Sequence, residues 1–385
     1  MMSQDFDIAI IGAGIAGAST AWALLEAAPQ LRVLLIEMEE RPGYHTTGRS
    51  AAIFIESYGG PAVVPLSRAS RAFFGEAPAG FPPLLHHRPS LIIESPEDAG
   101  GLERVAAEYD EGGVAYDWLD AAALAASPAG QMLKPEWRNR ALIEPDCHDI
   151  DVAALHQGFL RGVNGAKPTL ITNAQVTALD RIAGMWRIIT RAGVFTAPLL
   201  VNAAGAWADG LATLAGAAPK GLMPLRRTMA VLRIDPVPPA DLPTVMSSDG
   251  SFYFKPDGER LWLSPHDEIL DVPHDVRPDE MDLAVVIDRF EQASTVAVKR
   301  LESSWAGLRS FAPDRLPVYG FDGAVDGLFW CVGQGGFGIQ TAPAAGRLCA
   351  ALLLGGTAPV DPAPYATGRL GISNRPYRKF LMYFQ

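Results

Sequence analysis

Apolar positions along the chain come in two patterns: short unbroken runs, and longer stretches where they recur every three or four residues. The first run, Asp7 to Ile11, leads into "GAGIAGAST", a helical "AWALLEAA" and a second run "RVLLIE". This order predicts strand, glycine turn, helix, strand, a βαβ unit at the start of the chain. Residues 61–82 read as helical up to the Pro82–Pro83 pair, and "PSLIIES" (89–95) as a strand. "PEDAGGLERVAAEY", "DAAALAASP" and "DIDVAALHQGFLRGV" (149–163) carry helical spacing, the last with an acidic start. His148 and His156 then fall at the start and on one face of that helix.

Strands follow in "TLITNAQVTALDR", "WRIITRAG" and "PLLVNAAGAWA", the last running into a small-residue turn. "MPLRRTMAVLRI", "SFYFKP" and "RLWLSP" read as an antiparallel sheet, "MDLAVVIDRFEQAS" as a helix, and "GLFWCVGQGGFGIQTAPAAGRLCAALLLGG" as strand, glycine loop and helix. The α/β elements thus sit at the start, middle and end, around an antiparallel, aromatic-rich sheet. This predicts an α/β fold with a discontinuous Rossmann-like dinucleotide domain (1–80, 145–215 and 325–385) and an α+β substrate domain (81–144 and 216–324).

A formal net charge of −11 over 385 residues turns this reading away from nucleic acid or an anionic membrane surface. The run Ile8 to Ala28 is apolar enough to imitate a signal peptide or membrane span. Its acidic flank and its internal glycines, Ser19, Thr20 and Glu26 favour a cytoplasmic protein without an integral membrane segment. Cys147, Cys331 and Cys349 form no metal or disulfide spacing, and no metal is expected.

Gly12-x-Gly14-x-x-Gly17 follows a strand and opens a helix, where backbone N–H groups and the helix dipole meet a pyrophosphate. Glu37 ends the next strand, 37 − 12 = 25 residues on, near the spacing of an acid that binds ribose hydroxyls. Two further small-residue turns, "VNAAGAWA" and "GQGGFGIQT", fit an extended FAD better than NAD. The last could aim a helix N-terminus at the flavin ring.

The motifs "IIGAGIAGAST", "GYHTTGRSAA", "LVNAAGAWAD", "SFYFKPD", "WAGLRSF" and "GQGGFGIQT" resemble the D-amino-acid oxidase (DAO) superfamily of flavoenzymes. The likeness runs in register from about residue 5 to 350 and is greatest to bacterial FAD-dependent D-amino acid dehydrogenases of the D-arginine type. It implies an FAD site, with non-covalent binding the default, made by Gly12, Gly14, Ile15, Ala16 and Gly17, by Glu37 and Met38, and by the loop His45, Thr46, Thr47, Gly48, Arg49, Ser50, Ala51 and Ala52. Val176, Ala203, Ala204, Gly205, Trp207 and Gly307 would add to it. The final glycine loop would give Gly335, Gly336, Phe337, Gly338, Ile339, Gln340 and Thr341.

For the substrate, the resemblance implies Arg227 and Arg309 as cations for an α-carboxylate, since an arginine fork grips a carboxylate bidentately. The resemblance implies that Arg309 also reaches the flavin. Arg226 would point to the other strand face, as a surface residue. Tyr58 and Tyr253 match the family's active-site tyrosines, and Gln340 would help orient substrate and waters. The implied reaction is oxidative deamination: the α-hydride passes to flavin N5, and the imino acid hydrolyses to a 2-oxo acid and ammonia.

Two departures bear on the substrate. D-arginine enzymes carry a glutamate where this chain has Ser90, and a histidine and a threonine where it has Ile53 and Ile55. With Met246 and Gly336 completing the pocket, a neutral or apolar D-amino acid is expected, because a buried unpaired guanidinium is costly. Oxidation of a secondary amine (sarcosine or glycine) or of a 2-hydroxy acid, and a non-catalytic flavin-bearing electron-transfer subunit, are the competing readings. The electron acceptor, oxygen or a quinone or other carrier, stays open, with Lys255 a candidate for oxygen reactivity and Cys331 or His45 for covalent attachment.

Overall fold

The computed structural model describes residues 4–370, so the ends of the expected first and last domain segments (1–3 and 371–385) lie outside the described residues. Ile8–Ile11, Val33–Ile36 and Leu199–Asn202 are buried at nearly every position, as strands covered on both faces must be. They form the middle of a six-stranded sheet in the order Thr169–Ile171, Val33–Ile36, Ile8–Ile11, Leu199–Asn202, Leu328–Val332, Val318–Phe321. Only the last strand runs antiparallel. It lies before the expected boundary at 325 and joins this sheet because it forms a hairpin with Leu328–Val332.

One face is covered by the helices Ile15–Ala27 and Gly338–Leu354, whose approach is close: a Cβ at Gly346 would lie 2.6 Å from Ser19 O. The other face packs a core with Trp186 and Trp330 against the helix Ala208–Leu214. A four-stranded sheet built mostly from residues 176–197 adds to that side.

The second large sheet has nine strands. Its spine is Met223–Asp235 against Ala297–Phe311, antiparallel along both lengths. The sheet is not wholly antiparallel: Thr244–Ser247 and Ser90–Ile93 pair in parallel, since they are distant in sequence and no hairpin joins them. The helix expected over 61–82 is Val64–Gly75, ended by the breakers Pro78 and Gly80. The helix expected from 149 starts at Val152, capped by the Asp151 carboxylate accepting from Ala154 N at 2.8 Å. His148 is therefore not a helix-start residue. It sits in the strand His148–Ile150, which pairs with Ile53–Phe54 and Leu85–His87.

Candidate active site

A long cavity runs between the two large sheets, from the end of the second strand to the spine of the substrate sheet. At one end Gly14, Ile15 and Ala16 open the first helix into it. A Cβ on Gly14 would meet only Thr47 Oγ1, at 3.2 Å, so the helix N-terminus faces open space. Gly12 and Gly17 lie beneath rather than on the wall. Gly12 has φ +104° with its Cβ position 2.4 Å from Ala203 O, and a Cβ on Gly17 would lie 1.9 Å from Gly12 O. Glu37 accepts from Ala13 N and Glu39 N, both at 3.0 Å, and with Met38 closes this end. Burial pushes the Glu37 carboxyl above the usual range, although those backbone donors oppose the shift.

The loop from His45 to Ala52 forms one side of the cavity and is pinned to the substrate sheet. Thr46 Oγ1 donates to Leu308 O at 2.6 Å, and Thr47 Oγ1 accepts from Ile15 N at 2.9 Å. Arg49 donates to Val276 O (3.0 Å) and Ala306 O (2.9 Å) and pairs with Asp275, so its guanidinium is committed to protein groups. His45 lies 2.9 Å from a Glu39 oxygen, with its ring 4.6 Å from that of Trp207. Thr46, Thr47, Arg49, Ser50, Ala51 and Ala52 line the cavity; Gly48 does not, and its Cβ position falls 2.7 Å from Gly43 O.

Ala203, Ala204, Gly205 and Trp207 line the middle, and Gly335, Gly336, Gly338, Ile339 and Gln340 the far side. Phe337 and Thr341 turn away: Phe337 packs with Val63, Leu225 and Phe311, and Thr341 Oγ1 donates to Phe337 O. Gln340 differs from its expected substrate-orienting part. Its amide donates to Ile55 O (2.9 Å) and Ser67 Oγ (2.8 Å) and accepts from Ile55 N (3.2 Å). A buried amide satisfied on three sides splints Ile55 to the last helix.

At the substrate-sheet end, strand register brings two arginines together. Arg227 lies opposite Gly307, and Arg309 is two residues further on that strand, so the two are diagonal neighbours on one face, about 7 Å apart. Arg226, on the other face, is not a free surface residue: it is half-buried and donates to Asp282 at 2.6 Å. Arg227 Nε donates to the Asp267 carbonyl at 2.8 Å. Among the described residues Arg227 Nη1 and Nη2 and Arg309 Nη1 have no hydrogen-bond acceptor, all three buried. The nearby Glu268 carboxylate is 3.6 Å from Arg227 and 3.9 Å from Arg309, and bonds Arg315 at 2.8 Å instead.

Burial, then the charge of Arg309, lowers Arg227 from its usual value. Burial pulls Arg309 down too, but Tyr58, Tyr253, Glu268 and Asp267 outweigh it and the net shift is upward. Both remain cations. Two desolvated cations with three unpartnered Nη atoms are costly unless an anion fills the gap between them.

Tyr58 Oη accepts from Arg309 Nη2 at 2.7 Å, and Tyr253 Oη lies 3.1 Å from Met229 Sδ. Gly336 is required here: a Cβ would sit 2.4 Å from Tyr58 Oη and 2.8 Å from Arg309 Cζ. Ile53, Ile55, Met229 and Met246 supply apolar wall. Ser90 does not line the cavity. It shares a face with Ile92, the neighbour of Met246, but sits two residues, about 6.6 Å, further along the strand.

Val176 is also off the cavity wall, in the separate four-stranded sheet; the chain meets the acid strand two residues earlier, through Ala174 N to Glu37 O at 2.8 Å. Lys255 is buried on Asp149 at 2.6 Å and does not line the cavity either. Cys331 lies behind it, its Sγ 3.7 Å from Cys349 Sγ, which removes it as a flavin attachment point. Met229 and His266 line the cavity without having been expected. Met229 carried a usable signal, standing two residues after Arg227 on one strand. His266 lies in a loop with no periodicity.

Glu144 holds the turn that delivers Tyr58. Its buried carboxylate accepts from Glu56 N (2.8 Å), Ser57 N (3.4 Å) and Ser57 Oγ (2.6 Å). Burial raises the Glu144 carboxyl, so its contribution to stability is full below the ordinary carboxylate range and is lost as pH rises through the raised value. Glu144→Gln keeps an acceptor and a donor without the charge. It is expected to flatten the fall of Tm as pH rises above the ordinary carboxylate range. Glu144→Ala is expected to raise KM about tenfold, one lost anchor at about 1.4 kcal/mol. An unchanged Tm slope in Glu144→Gln would remove Glu144 from this account.

The cavity suits FAD: a helix N-terminus open at Gly14, an acid at Glu37, small-residue walls in the middle, and buried cations beyond. No group of three metal-ligating side chains occurs among the described residues, and no helix there is long and apolar enough to cross a membrane. Comparison with known proteins agrees on the cofactor. Hydrogen cyanide synthase subunit HcnC of Pseudomonas aeruginosa is 26% identical over 418 residues, 96% of this chain and 97% of that protein. Glycine oxidase from Geobacillus kaustophilus superposes with a TM-score of 0.80 at 22% identity over 94% of this chain and 98% of its own, and L-proline dehydrogenase from P. horikoshii with 0.80 at 20% over the same shares. The model of the family described as FAD dependent oxidoreductase, DAO, matches residues 7–352; the chain belongs to that family and is an FAD-dependent oxidoreductase.

Proposed function

We propose that the protein oxidises the carbon–nitrogen bond next to the carboxylate of an amino acid with an uncharged, preferably apolar side chain, of D configuration. Residues 1–80, 145–215 and 325–385 would hold FAD, with the chain from Val318 added, and the rest would hold substrate. The observation that carries this is the pair of buried arginines with three unpartnered Nη atoms at the end of a cavity with aliphatic walls.

Bound FAD supplies the two-electron acceptor. The chain supplies the rest. Arg227 and Arg309 take the carboxylate, which fixes the α-carbon at one distance from the glycine loop 335–338. Tyr58 and Tyr253 flank the carboxylate, and Ile53, Ile55, Met229 and Met246 exclude water from the side chain. The product imine hydrolyses in water to a 2-oxo acid and ammonia. A basic side chain has no partner here, since the nearby acids Asp267 and Glu268 already face arginines.

A secondary amine is the second reading: glycine oxidase, L-proline dehydrogenase and an iminodiacetate oxidase share the fold, and the same apolar wall would take an N-substituent. Steady-state turnover on D- and L-amino acids, their N-methyl forms, 2-hydroxy acids and D-Arg separates these. Neutral D-amino acids are expected to exceed D-Arg at least tenfold in kcat/KM. D-Arg as the best substrate would overturn the proposal, and preference for N-methyl forms would favour the second reading.

A further inference from the structure

His266 stands in the same cavity as the two arginines. It follows the strand Arg260–Ser264, which pairs with Tyr253–Asp257, so its ring meets Tyr253 edge-on with centroids 5.3 Å apart. Arg227 lies over the same tyrosine ring at 6.0 Å. The backbone at His266 has φ +55°, a conformation costing roughly 1 kcal/mol for a residue with a Cβ, and His266 N donates to Ser264 Oγ at 3.1 Å. The next two residues are Asp267 and Glu268, which face Arg227, Arg309 and Arg315. One short loop therefore holds an imidazole and the counter-ions of the anion site in fixed relation.

The ring is buried, and burial followed by the charges of Arg227, Arg309 and Arg315 lowers its pKa well below the usual histidine value. Both causes favour the neutral ring in the ligand-free protein. A carboxylate between the arginines cancels much of that positive field. An amino acid arrives with its ammonium group protonated, and that proton must leave before the α-carbon can lose hydride.

We propose that His266 accepts the ammonium proton of the bound amino acid, and does so only after the carboxylate has seated between Arg227 and Arg309. This rests on the carboxylate reading above. The N–H bond of the ammonium breaks and an imidazole N–H bond forms. The substrate becomes a neutral amine whose lone pair supports hydride loss, and His266 becomes imidazolium, stabilised by the carboxylate. The proton returns to water after product leaves.

Propanoate, a carboxylate without an amine, tests this on the FAD-loaded protein without turnover. Calorimetric titration at pH 6 in buffers of different ionisation enthalpy should show net proton uptake on propanoate binding. His266→Gln should bind propanoate within about threefold and take up none. Its kcat at pH 7 should fall about 100-fold, the size of a lost proton acceptor, and recover as pH approaches the substrate amine's own pKa. Propanoate binding that needs Arg227 but moves no proton would overturn the role of His266 and leave the carboxylate site standing. An unchanged kcat–pH profile in His266→Gln would do the same. No propanoate binding at all would overturn both.

Discussion

Arg227→Leu is expected to retain FAD and fold, yet to lose roughly 150- to 5,000-fold in kcat/KM. That is about 3–5 kcal/mol, the cost of removing one partner from a buried, hydrogen-bonded charge pair. Arg227 is 5% exposed; its loss breaks one hydrogen bond, from Nε to the Asp267 carbonyl, and its ion pairs with Asp267 and Glu268, while Nη1 and Nη2 have no acceptor among the described residues and are left for the substrate carboxylate. Arg309 is the weaker test, since it also bonds Tyr58 and its removal would disturb that ring. The loss should reside in KM as well as kcat, because the carboxylate is gripped before and during oxidation. Arg227→Lys, a point charge without the planar fork, should recover only part of it. Loss of flavin from Arg227→Leu, or kcat/KM within threefold of wild type, would count against a carboxylate site.

Gly17→Ala acts at the other end of the cavity and should empty it. The added Cβ would lie 1.9 Å from Gly12 O, a backbone atom that cannot swing aside. The first helix must then move off the first strand, which opens the turn at Gly12 and Gly14. Overpacking of this kind costs about 1–3 kcal/mol and sometimes more. The expected result is a protein purified with less than about a tenth of the wild-type flavin-to-protein absorbance ratio and a lowered Tm. Gly210→Ala is the matched control: it lies in the helix Ala208–Leu214, where a Cβ meets nothing, and should raise helix stability by about 0.5–1 kcal/mol. Normal flavin content in Gly17→Ala would show that the turn does not depend on this close approach.

The nucleotide half was legible in the sequence because its signals are local. A buried strand, a glycine turn and a helix follow one another within twenty residues; Gly12 and Gly17 answer to backbone contacts that admit nothing larger, and Gly14 leaves the helix N-terminus open to the cavity. The arginine pair was legible through motif likeness. Its geometric basis, the register that sets Arg227 opposite Gly307, is a long-range pairing that no local pattern encodes. Ser90 misled for the related reason that a two-residue offset along a strand is invisible without the sheet. Gln340 misled because its partners, Ile55 and Ser67, lie more than 270 residues away. His266 carries no periodic signal; its place follows from the turn after Ser264 and from its opposition to Tyr253.

The central claim is that the cavity delivers a carboxylate-bearing amine to bound FAD. Anaerobic mixing of the purified flavoprotein with an apolar D-amino acid, and separately with the amine lacking its carboxylate, tests it in one half-reaction without reference to the electron acceptor. The account predicts that the amino acid bleaches the flavin absorbance at a saturable rate, while the decarboxylated amine reduces it at least 100-fold more slowly. Equal bleaching by both, or bleaching by neither this amino acid nor any other neutral amino acid or N-methyl form, would contradict it.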